Sequence, residues 1–230
     1  MHILPFSLHK VIHHSTSLKK IAFFLFLSLA LIHQASAVDL DANILKQVTK
    51  KFGEKATARL RYWQEITESA KDKSSIEQLE IVNNFFNKVR FISDQEHWQK
   101  EDYWATPLEL LATNGGDCED YSIAKYFTLR ELGIPDEQLK ITYVKAIQIN
   151  QAHMVLAYYP EPGTEPLILD NLVNEILPAS QRKDLVPVYS FNGEGLWLSK
   201  LSSQEGKRIG NANKLESWKE NMTRHYRLFD

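Results

Sequence analysis

The chain has 230 residues, 43% of them hydrophobic and 24% charged, with 27 Lys and Arg against 29 Asp and Glu. That is enough apolar chain for a substantial core, and the slight acidity argues against a nucleic-acid partner, which attracts basic surfaces. A single cysteine excludes an internal disulfide.

Residues 1–20 carry Lys10, Lys19 and Lys20 and no acid, followed by the apolar run Ile21–Ile32 and then Ala35-Ser-Ala37. These are the three parts of a secretory signal peptide. Twelve residues rise only about 18 Å as a helix, too short for a hydrocarbon core of ~30 Å. Cleavage after Ala37 is therefore expected, leaving 38–230 as one exported domain. Loss of the leader's three lysines leaves 24 basic residues against 29 acidic, a charge of about −5, and removes five of the eight histidines. His97, His153 and His225 remain to serve Cys118. A free thiol is a liability in an oxidising compartment, which favours a use for this one.

The first half of the domain reads as helical. Ala42–Phe52, Glu54–Ala70 and Ile76–Phe91 place apolar residues at three- and four-residue steps, as in the stripe Ile76, Leu79, Val82, Phe86 and Val89. Thr106 before Pro107, with Glu109 following, predicts a capped short helix closed by Gly115-Gly116. Asp117 can cap the next, from Cys118 to Leu132, stopped by Gly133 and Pro135. Cys118 then sits in a first helical turn, where the partial positive charge favours thiolate.

The second half changes period. Lys140–Ile147, His153–Tyr159 and Pro166–Leu172 read as strands, Tyr189–Leu198 as a further strand, and Leu215–Leu228 as a closing helix. Helices followed by an antiparallel sheet indicate an α+β domain. A hairpin turn near Pro162-Gly163 makes paired residue numbers sum to about 325. Val155 then faces Asp170, and His153 is the diagonal neighbour of Asp170 on the same sheet face. A histidine oriented by a carboxylate and presented to a cysteine at a helix N-terminus is a nucleophile–base–orienter set. Each part also has a plainer use: a strand histidine can be structural, Asp170 can begin a turn, and Cys118 can be a small buried hydrophobe.

The stretch "DYWATPLELLATNGGDCEDYSIAKY", with a histidine opening one strand and an aspartate in the next, resembles the bacterial transglutaminase-like cysteine proteinases. The likeness spans essentially all of 38–200, and Gly116-Asp-Cys-Glu-Asp-Tyr121 is its most diagnostic block. It implies a papain-like α+β fold with Cys118 as nucleophile, His153 as general base and acid, and Asp170 as orienter. It also implies a periplasmic, calcium-dependent endopeptidase that cuts the N-terminal region of a large surface adhesin at a paired-alanine site. The implied partner is the periplasmic domain of an inner-membrane receptor of the LapD type, which senses cyclic di-GMP and sequesters the enzyme. The aromatic stretch Trp98–Trp104 is a candidate docking surface.

Asp117, Glu119 and Asp120 oppose a thiolate at Cys118. At about 5 Å and an effective dielectric of about 20, each uncompensated charge is worth about 3 kcal/mol. A helix end offers only ~0.3–1 kcal/mol, at most about 2. A divalent cation would cancel them, and hard oxygens suit Ca2+ rather than zinc. The resemblance agrees, and implies Asp117, Glu119 and Asp120 as its ligands; the same acids could also simply face solvent or cap the helix. The Cys118 N–H is a natural oxyanion donor, and Trp104, whose indole N–H can only donate, is a candidate for the second. Trp104 would be equally at home as a structural residue. Two other functions fit the residues: transglutaminase-type acyl transfer with the same triad, and a binding module whose cysteine is incidental.

Overall fold

The computed structural model describes residues 40–198 and 206–227. The expected leader lies outside them. Two N-terminal helices follow the sequence pattern from end to end: α1 (Ala42–Phe52), capped by the Asp41 carboxylate on the Ile44 N–H, and α2 (Glu54–Ala70). The third, α3 (Ser75–Phe86), opens on a reciprocal capping box between Ser74 and Glu77. It stops five residues earlier than its apolar stripe suggests. Asn87 turns its side-chain amide to the carbonyl of Asp170 (2.7 Å) and to Asn174 (2.8 Å), and the chain leaves as a short strand, β1 (Arg90–Phe91).

A single-turn helix α4 (Asp94–His97) and the capped helix α5 (Pro107–Thr113) lead to β2 (Gly115–Gly116) and the long helix α6 (Cys118–Glu131). Asn114, in the left-handed region at φ 56°, ends α5 in place of the expected glycine pair. Gly115 and Gly116 instead pair in parallel with Arg90 and Phe91. A side chain at Gly116 would meet Asp120 Oδ2 at 2.4 Å and Leu110 at 2.7 Å, so this turn is open only to glycine.

The remaining strands are β3 (Leu139–Ala146), β4 (Gln151–Tyr158), β5 (Leu167–Leu169), β6 (Leu177–Pro178), β7 (Leu185–Phe191), β8 (Leu196–Leu198) and β9 (Lys207–Gly210). They form one antiparallel sheet in the order β6-β5-β4-β3-β7-β8-β9. The β4–β5 register, Leu156 opposite Leu169, is the one the turn position predicts. Tyr189–Leu198 is not one strand: Asn192 accepts from the N–H groups of Glu194 and Gly195 and folds it into the β7–β8 hairpin. The closing helix is α7 (Glu216–Arg227).

Helix α6 is buried on nearly every side, packed on β4 and β3 with α3 and α5 over it. That explains why its sequence shows little amphipathic stripe. The fold is α+β, a helical half laid over an antiparallel sheet. Among the described residues no helix is long and apolar enough to cross a membrane.

Helix α7 ties the C-terminal end to the loop before α5. Asn221, fully buried, donates to the carbonyls of Trp104 (2.8 Å) and Ala105 (3.0 Å). Replacing Asn221 with Ala leaves both carbonyls without that donor, and should lower unfolding free energy by about 1–3 kcal/mol. Denaturant unfolding of the two proteins, with the m-value unchanged, checks it.

Candidate active site

Cys118 is the first residue of α6 and carries a half-buried free thiol. Its Sγ donates to Glu119 Oε2 at 3.0 Å and accepts from the backbone N–H of Met154. The thiol therefore lies against β4 one residue from His153. His153 is 4% exposed, and its Nε2 lies 2.8 Å from Oδ1 of the wholly buried Asp170. This leaves Nδ1 as the free ring nitrogen. Asp170 sits one residue beyond β5, where the hairpin register projects it. Among the other histidines, His225 stacks on Phe127 at 3.8 Å, its pKa pushed down to about 4 by burial, and His97 packs edge-on against Trp98.

The carboxylates around the helix start are more numerous than the motif suggests. Oxygens of Asp94, Asp117 and Asp120 lie within 4.8 Å of one another, as do those of Asp94, Asp102 and Glu119, and Asp117 and Glu119 group likewise with the Cys118 sulfur. Asp94 arrives through the parallel β1–β2 pair, its N–H donating to Asp117 Oδ2 at 3.2 Å. Neither Asp94 nor Asp102 has a sequence signal, since their only link to the motif is spatial. Asp120 also fastens the backbone, because Oδ1 accepts from the Ala105 N–H at 2.7 Å and Oδ2 from the Asp117 N–H at 3.1 Å.

Burial and mutual repulsion push these groups up together. Desolvation first, then Asp117, raises Glu119 and Asp120, and Asp94 is raised by burial to about 6. Burial, reinforced by Glu119 and Asp117, likewise drives the Cys118 thiol well above its ordinary range. Asp170 differs: despite burial, hydrogen bonds from His153, Leu172 and Arg182 hold it down at about 2. Oδ1 atoms of Asp94 and Asp117 are buried with no hydrogen-bond partner. The unpartnered oxygens of Asp94 and Asp117 lie in these groups, whose hard oxygens could hold a metal ion.

Trp104 is buried, stacks on Phe191 at 5.5 Å, and donates its indole N–H to Asp102 Oδ1 at 2.9 Å. To serve an oxyanion it would have to leave Asp102. In the Trp98–Trp104 stretch, Trp98 and Tyr103 are half-buried and pack together at 4.6 Å, so little of that aromatic surface is open.

Cys118 opens a helix packed on β4, and His153 of that strand pairs with Asp170 just beyond β5. The fold is that of a transglutaminase-like cysteine protease. The chain belongs to the bacterial transglutaminase-like cysteine proteinases (BTLCP), whose family model matches residues 50–199. It is similar to LapG of Legionella pneumophila: 43% identity and a TM-score of 0.68, over 79% of this chain and 97% of that one. The EGTA-treated form of LapG matches at 43% identity and TM-score 0.69, over 79% and 97% of the two chains. The calcium-bound form matches at 44% and 0.68, over 78% and 96%. No curated protein sequence matches the chain.

The raised carboxyls carry a pH signature. Unfolded, they lose their protons near pH 4; folded, they keep them to about 6 at Asp94 and higher at Glu119, with Asp120 also raised by burial. The folded state therefore binds more protons across that range, and stability contributed below pH 4 is lost as pH rises. The melting temperature should therefore fall between pH 4 and neutrality. Calorimetry across pH in chelator measures it.

Proposed function

We propose that this protein is a calcium-dependent periplasmic endopeptidase that cuts the N-terminal region of a large surface adhesin and so releases it from the cell, promoting biofilm dispersal. The observation that carries the catalytic reading is the placement of the Cys118 sulfur under the Met154 N–H, beside a His153 whose Nε2 is held by Asp170. His153 Nδ1 takes the thiol proton as Sγ attacks the scissile carbonyl, giving a tetrahedral oxyanion at the N-terminus of α6. The Cys118 N–H, which as the first helical residue has no partner within its helix, would receive that charge. The imidazolium returns its proton to the leaving amine, and a thioester remains. Water, deprotonated by the same imidazole, then hydrolyses the thioester and frees the thiol.

The Cys118 thiol donates to Glu119 and is held protonated by burial, reinforced by the negative charge of Glu119 and Asp117. A bound Ca2+ would neutralise that charge and favour the thiolate. A calcium-bound form among the similar structures supports this reading. Cys118→Ala and His153→Ala should each lower cleavage of adhesin fragments by about 10³-fold or more, with Asp170→Ala nearly as severe. Chelator should abolish cleavage, calcium should restore it, and magnesium should do so poorly because it holds its waters and demands a strict octahedron. Activity in excess chelator would remove calcium from the reading. Full activity in His153→Ala would remove the triad.

Such a protease needs restraint, and we propose that it is sequestered by the periplasmic domain of a LapD-type receptor, whose cytoplasmic side senses cyclic di-GMP. Mixing the two proteins should give association and loss of adhesin cleavage together. Association with cleavage at full rate would refute the restraint.

A further inference from the structure

Asp170 is held more firmly than the orientation of one imidazole requires. Oδ1 accepts from His153 and, at 2.9 Å, from the Leu172 N–H, while Oδ2 accepts from Nη2 of Arg182 at 2.7 Å. Arg182 is 3% exposed and follows a short turn of 3₁₀ helix, Ala179–Gln181. Its guanidinium is gripped again by Asp184, which accepts from Nε at 3.0 Å and from Nη2 at 2.8 Å. The clamp thus comes from the connection between β6 and β7, more than sixty residues along the chain from Cys118.

Arg182 supplies direction as well as charge. Lys125 of α6, 1% exposed, is also within electrostatic reach of Asp170, with its pKa pushed down to about 7 by burial. An ammonium is a point charge that fixes no direction, whereas a guanidinium is a rigid planar fork. With Oδ2 pinned by Arg182 and Oδ1 by Leu172 and His153, the carboxylate cannot swing without breaking at least one bond.

We propose that Arg182 is a positioning residue for the His153–Asp170 pair: anchored by Asp184, it locks the Asp170 carboxylate so that Oδ1 keeps the proton on His153 Nε2. Nδ1 is then bare and able to take the Cys118 proton. The inference rests on the reading of His153 as base and Asp170 as orienter, yet the lock itself is a property of the folded protein without substrate.

The test uses the protein labelled with 15N-histidine, its His153 spectrum read in chelator, where the thiol keeps its proton, and kcat read in calcium, with His153 signals assigned by their loss in His153→Gln. The wild type should show a single Nε2–H tautomer with a slowly exchanging proton. Folded Arg182→Met should show mixed tautomers or rapid exchange, and a fall in kcat on the order of tenfold to a hundredfold with KM unchanged. Arg182→Lys keeps the charge and loses the fork, so it should remain below wild type in kcat and in proton protection. A wild-type His153 spectrum with kcat within about twofold in Arg182→Met overturns the proposal, and so does full recovery in Arg182→Lys. If Arg182→Met does not fold, Arg182→Lys decides by the same criterion. Proteolysis that survives His153→Gln would sink His153 as base, while an Arg182-dependent tautomer would still stand.

Discussion

The site depends on the burial of negative charge around the first turn of α6. Asp120 has no exposed surface, and its two oxygens hold the N–H groups of Ala105 and Asp117. It joins the loop before α5 to the turn that presents the nucleophile. Gly116 lets that carboxylate approach, since any side chain there would meet it. The same charge that fixes the geometry penalises the thiolate the chemistry needs. Each carboxylate is worth more than the helix end can offset, so the acids and the burial together oppose ionisation of Cys118.

Two carboxylate environments within one small site are pushed in opposite directions. Near Cys118, desolvation and like charges favour protonated forms, and Asp117 shares a hydrogen bond with Glu119. Across the sheet, Asp170 faces His153, Arg182 and Lys125 and stays ionised. Its depressed pKa adds stability above the ordinary aspartate range, lost as pH falls through about 2. Separated environments of this kind let neighbouring carboxyl groups take different roles. One set is suited to a cation, the other to orienting an imidazole.

The sheet brings these environments together through α6. Because α6 is packed on β4 with its first turn at Met154, Cys118 is brought to the strand that carries His153 without any contact local in sequence. The end of α3 belongs to the same arrangement. Asn87 leaves its helix pattern to hold the Asp170 carbonyl, and the Tyr121 hydroxyl donates to the Val89 carbonyl at 2.7 Å. Asn87 and Val89, just past the end of α3, thus fasten Asp170 and α6.

What was legible in the sequence is what local physics decides. Helices α1 and α2 follow from apolar periodicity, the starts of α5 and α6 from cap chemistry, and the β4–β5 register from one turn, because each depends on residues within reach of one another along the chain. The placement of Cys118 at a helix start and the pairing of His153 with Asp170 followed from those elements. The β7–β8 hairpin had a local signal too, in Asn192-Gly193, and a strand pattern read through it. Only the tertiary structure decided that Asp94 and Asp102 join the acidic cluster, that Trp104 gives its N–H to Asp102, and that Arg182 clamps Asp170. The partners of these side chains come from other elements, and a charge or donor has no periodicity to announce a neighbour that only packing supplies.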